Sequence, residues 1–106
     1  MAETLASLRK KGGNTIEGSY TMKTIANNPQ SITLPFVPRF FFGHIEVSGI
    51  YETIVYDADS GNAYGLWGTS SQGGYFSQIS VSGNVINIWG VADALAGHEL
   101  KYVVGK

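Results

Sequence analysis

Three groups of side chains carry residue types and spacings that could do chemistry. The first is the run Asp57-Ala58-Asp59-Ser60-Gly61-Asn62, which has the oxygen donors that open a calcium loop. The helix-flanked form of that loop ends on a bidentate Glu at its twelfth position, and that position here is Gly68, with strand-forming rather than helical flanks. Turn chemistry accounts for the same residues without a metal. Asp and Asn side chains bond their own backbone, and Gly61 or Asn62 accepts positive φ. No metal site is therefore expected, and Asp57, Asp59 and Asn62 stand as the only calcium candidates.

The second group is the histidines. His44 and His98 lie far apart, neither has a metal-ligand spacing, and no G-x-S-x-G elbow is present. The chain has no Cys, which removes disulfides, thiol catalysis and zinc–thiolate sites together. No catalytic residue is nominated, no cofactor is implied, and a non-enzymatic protein is expected.

The third group is aromatic. Tyr64, Trp67 and Tyr75, followed by Phe76, are interleaved with Gly, Ser, Thr and Gln around the flexible-looking run GTSSQGG at residues 68–74. Flat, rigid rings beside hydroxyl and amide groups suit sugar faces or protein hot spots, since they give contact area at low entropy cost. Tyr64, Trp67 and Tyr75 are the ligand-binding candidates, for a glycan or a protein. Core filling is the competing explanation, above all for Trp67 and Phe76.

These groups must be positioned by strands. Ser31 to Tyr56 is the longest β-prone stretch. At period two, Ile32, Leu34 and Phe36 share one face, then Phe41, Ile45 and Val47, then Ile50, Ile54 and Tyr56. Ile16 to Lys23 alternates with Ile16, Gly18, Tyr20 and Met22 on one face. Pro35 and Pro38 force the strand from Ser31 to an edge or a bend. Ser48-Gly49 marks a tight turn, residues 57–62 a hairpin loop, and Ser82-Gly83-Asn84 the turn of a hairpin spanning Tyr75 to Val91. Residues 92–99 read as a helical turn or loop ended by Gly97, before a last strand carrying Leu100, Tyr102 and Val104. Seven to eight short strands at this spacing predict an all-β domain, an antiparallel β-sandwich or jelly roll, with a closed barrel as the alternative.

Residues 1–13 are expected to form a separate N-terminal arm ahead of a single domain over residues 14–106, with a disordered tail as the competing reading. Leu5 and Leu8 lie one helical turn apart, Arg9, Lys10 and Lys11 sit where a helix dipole favours cations, and Gly12-Gly13 stop the helix. Leu5, Leu8, Arg9 and Lys10 are the candidate anchoring residues of this arm. Only 14% of the 106 residues are charged, well under the usual share for a soluble domain, so the surface is expected to be either rich in hydroxyl and amide groups or partly covered by partners, as in an oligomer. No Lys or Arg falls between Arg39 and Lys101, while six carboxylates do, and such a body does not neutralise phosphates. No nucleic acid is expected as partner. No apolar run reaches membrane-span length, and the N-terminus lacks a signal peptide's apolar core, which points to synthesis in the cytoplasm.

Three segments carry a resemblance: ITLPFVPRFFF at residues 32–42, ISVSGNVINIWG at residues 79–90, and LKYVVGK at residues 100–106. A strand with a Pro-Phe-x-Pro step, a V-S-G-N-x-I-x-I hairpin and a final Tyr strand ending in Gly resemble small β-sandwich domains of bacteriophage virion proteins. Such domains occur in tail-fibre tips, appendages and head-decoration proteins, and the likeness in order and spacing spans about residues 15–106. The resemblance implies a structural or adhesion protein located in the virion, attached by its arm to other virion proteins and touching a host-surface glycan or protein. It implies an oligomer, trimeric if fibre-like. A free-standing carbohydrate-binding, lectin-like module using Tyr64, Trp67 and Tyr75 is the alternative.

Overall fold

A computed structural model describes residues 15–24, 26, 28–69, 73–89 and 93–106, except for the side chains of residues 73 and 75. The arm, with Leu5, Leu8, Arg9 and Lys10, lies outside the described residues. Eight strands follow one another: β1 (Thr15–Thr21), β2 (Gln30–Thr33), β3 (Phe40–Val47), β4 (Ile50–Asp57), β5 (Asn62–Thr69), β6 (Gly73–Ser82), β7 (Val85–Trp89) and β8 (Glu99–Gly105), with a 3₁₀ turn at Asp93–Leu95. All pairings are antiparallel, in the order β1-β8-β3-β4-β5-β6-β7-β2.

The all-β expectation therefore holds, in the form of one continuous sheet rolled into a nearly closed, barrel-like shape. The roll has a corner in β6. Residues 73–77 pair with β5, whereas residues 78–82 pair with β7, so this ten-residue strand passes from one wall to the next between Ser77 and Gln78.

Turn chemistry fixes the registers. Ser48 and Gly49 have φ of 51° and 81°, the mirror-image turn that matches strand twist, and they place Val47 opposite Ile50. Gly83, at φ 58°, does the equivalent service between Ser82 and Val85. The proline-rich segment does mark an edge: β2 ends at Thr33, at one end of the strand order.

Alternate residues fill the interior. Phe41, Ile45, Ile54, Ile86, Leu100 and Val104 are among those almost wholly removed from water, and the Phe41 and Tyr102 rings stack with centroids 5.1 Å apart. Leu95, fully buried, closes one end from the 3₁₀ turn. That turn is tied to the chain after β1, where the Gly97 N–H donates to the Met22 carbonyl at 2.8 Å and the Met22 N–H to the His98 carbonyl at 2.9 Å.

The two end strands, β1 and β2, meet at a side-chain seam. Gln30, only 2% exposed, accepts from the Lys23 N–H at 2.7 Å and donates to the Lys23 carbonyl at 2.8 Å. Its amide thus reproduces the two-bond pattern of a β ladder. Burial pushes the Tyr20 hydroxyl pKa up, so it keeps its proton and points it at Gln30 Oε1, 3.4 Å away.

Candidate binding face

Among the described residues, the convex face of β4, β5 and β6 carries four of the exposed large apolar side chains, while Ile16 and Val37 lie elsewhere. The register sets Val55 opposite Tyr64 and Leu66 opposite Phe76, in adjoining cross-strand rows. Their exposures are 38% and 54%, then 37% and 84%. Thr53 stands opposite Leu66 on the adjoining strand, and none of these five residues is charged. Thr53 Oγ1 is bonded to His44 Nδ1 at 2.8 Å, which ties β3 to the rim. Scattered exposed apolar residues are ordinary, but a contiguous uncharged patch topped by a nearly naked Phe is the mark of a contact surface.

The aromatic candidates fall in different places. Tyr64 stands on the convex face. Trp67 is half-buried and belongs to the opposite, concave phase of β5, with Ala63 and the buried Gly65, so the fold does not bring Tyr64 and Trp67 to one surface. Tyr75 lies opposite Trp67 in the backbone register, and its side chain lies outside the described residues. Phe76, set aside in the sequence reading as core, is the most exposed large apolar residue among those described. Period two could have found it, since it alternates against Ser77, Ile79 and Val81.

The acidic turn bonds to itself. The Asp59 N–H donates to Asp57 Oδ1 at 3.2 Å, the Ser60 hydroxyl to the Asp57 carbonyl at 3.4 Å, and the Asn62 N–H to Ser60 Oγ at 3.3 Å. Arg39 reaches Asp59 Oδ2 at 3.4 Å. Among the described residues no three His, Asp or Glu side chains are grouped to hold a metal ion.

On the other flank, β1, β8 and β3 border an open groove of about 580 Å³ whose lining includes Glu17, His44 and Lys101, a charged contrast to the β4–β6 patch.

Beneath the apolar patch sits one of the six carboxylates between Arg39 and Lys101. Glu52 is fully buried, on the concave face of β4 in phase with Ile50 and Ile54. Ser77 Oγ lies 2.9 Å from one of its carboxyl oxygens and 2.8 Å from the other, and the Leu66 backbone N–H bonds to it as well. Burial pushes its pKa up to about 7, against the opposing pull of the Ser77 and Leu66 bonds. The signal was available: a lone Glu in the apolar phase of a strand.

Fold and face together define a small, all-β, barrel-like domain with an uncharged, partly apolar patch on its convex face. Set against protein-family models, curated proteins and solved structures, the chain matches none.

Proposed function

We propose that this chain is a non-enzymatic structural or adhesion subunit of a bacteriophage particle, attached through residues 1–13 and associating through the convex face of β4–β6. The observation that carries the contact role is Phe76, 84% exposed beside Leu66, with Tyr64 and Val55 in the adjoining row and no charge among them. The virion context rests on the resemblance of residues 32–42, 79–90 and 100–106 to phage virion domains. A second copy of the chain is the occupant that suits the face best. Two uncharged patches meet without repulsion, and an interface here supplies the cover that a chain with 14% charged residues calls for.

Light scattering on the full chain and on Phe76→Ser tests this. The expected result is a defined oligomer that shifts to monomer in the variant, at unchanged melting temperature. A monomer in both proteins would end the self-association reading. If that monomer bound glycans and lost them in Tyr64→Ala, the lectin-like reading would take its place, on the strength of the exposed Tyr64 ring.

A further inference from the structure

The Glu52–Ser77 pair spans three strands. Glu52 is on β4 and Ser77 on β6, and between them β5 presents Gly65, where a Cβ would come within 2.8 Å of Ser77 Cβ and 2.9 Å of Ile79. A residue without a side chain leaves the path open for the carboxyl to reach across. The two groups bonded to the acid belong to the contact face from behind: Leu66 is itself exposed there, and Ser77 adjoins Phe76. Ser77 is also the last residue of β6 paired with β5 before the corner, so beyond it that wall has no further ladder contact.

We propose that Glu52 and Ser77 form a pH-sensitive latch behind the contact face, holding β5 and β6 in register while the carboxyl carries its proton and loosening them once it is ionised.

The proposal rests on the contact-face reading and assigns its regulation. A single hydroxyl proton cannot serve both carboxyl oxygens fully, and an ionised carboxylate shut away from water needs more donors than Ser77 and Leu66 supply. Among the described residues that oppose it on the neighbouring strands, none is a cation. From β3 the opposing residue is Ile45, from β5 Trp67 and Gly65, and from β6 Ser77. The titratable residues of β3, His44 and Glu46, lie in the convex phase of that strand, and those of β4 itself on the ladder faces are Tyr51, Tyr56 and the exposed Asp57. The 3₁₀ turn that packs against β4 brings Asp93, exposed and of like charge. The environment thus favours the neutral acid, in line with the raised pKa.

The test follows the Glu52 carboxyl by carbon-13 NMR in the full chain between pH 5.5 and 8.5, with amide exchange, corrected for intrinsic rates, and light scattering over the same range. Expected are a carboxyl titration near neutrality and a fall in β5–β6 protection by about one to two orders of magnitude at the same midpoint. The oligomer should weaken in step, and in Glu52→Gln both dependences should vanish. A carboxyl already ionised at pH 5.5, or β5–β6 protection as pH-sensitive in Glu52→Gln as in the parent chain, would overturn the latch. Should Glu52→Gln not fold, the carboxyl titration and its match to the exchange midpoint decide alone. A chain monomeric at every pH overturns the contact-face reading and with it the control of association, and the NMR and exchange data show separately whether the acid gates β5–β6.

Discussion

Among the described residues, two buried polar side chains tie segments of this barrel together outside the backbone ladder, and they differ in chemistry. At the seam, Gln30 gives and takes one hydrogen bond with the Lys23 backbone, and its amide is neutral at any pH the protein meets. At the corner, Glu52 is isosteric with such a glutamine, and the Ser77 hydroxyl donates to it, but whether a charge is buried there depends on a proton. A folded-state pKa raised from 4.5 to about 7 means that the folded chain holds the proton more tightly than the unfolded one. The contribution is then fully present below pH 4.5, declines as pH rises through the interval, and is gone above about pH 7, a loss of about 3 kcal/mol at 1.36 kcal/mol per pKa unit. The neutral amide holds its seam at any pH, whereas the contribution of the acid varies with its proton.

Exchanging the chemistry of the two sites gives the largest expected effect. Gln30→Glu should fold best in acid, where a protonated carboxyl still accepts from the Lys23 N–H and donates to its carbonyl. At pH 8 the carboxylate faces that carbonyl with no proton to offer and sits in a site only 2% exposed. An added cost of about 3 kcal/mol or more between pH 5 and pH 8 is expected, read from urea unfolding. A Gln30→Glu variant destabilised equally at both pH values would show that the seam tolerates charge and that proton dependence is not what separates the sites.

A smaller effect is expected from Gly65→Ala, which leaves the acid in place and obstructs its path. The new methyl would meet Ser77 Cβ at 2.8 Å and two Ile79 carbons at 2.9 Å. Overpacking of this kind costs about 2 kcal/mol. If the Glu52–Ser77 bond spans β5 as described, the variant should also weaken the pH dependence of stability, because the pair is forced apart. The melting temperature across pH 5 to 8 reports both quantities at once.

How far these features can be read from the chain depends on whether they are periodic. The hairpin turns at Ser48-Gly49 and Gly83, and the inward phases of Ile32, Phe41, Ile45 and Ile54, follow from alternation and turn residues alone. The same alternation places Glu52 inside with Ile50 and Ile54, Gln30 inside with Ile32 and Leu34, and Phe76 outside. These three depart from the expected polarity of their positions, and reading polarity rather than phase hid them. Whether the strands close as one roll or two layers was not legible, since it turns on the change of pairing partner within β6, and no local pattern marks the break between Ser77 and Gln78. Tyr64 and Trp67 looked like one platform because they are close in sequence, yet an odd spacing along a strand sends them to opposite faces.

The exposed acids supply the reference against which the buried one is judged, and they carry the smallest effect. Asp57 and Asp59 have water around them, and the Arg39–Asp59 pair, 3.4 Å apart with side chains 68% and 69% exposed, contributes little. Asp57→Asn together with Asp59→Asn should therefore change stability by no more than about 0.5 kcal/mol, because an amide oxygen still accepts from the Asp59 backbone N–H. Melting temperature should be the same in calcium and in chelator for the parent chain and for the double variant. A calcium-dependent rise in the parent that disappears in the variant would make this turn a metal site, and carboxylates outside the barrel would then matter to stability as much as the one within.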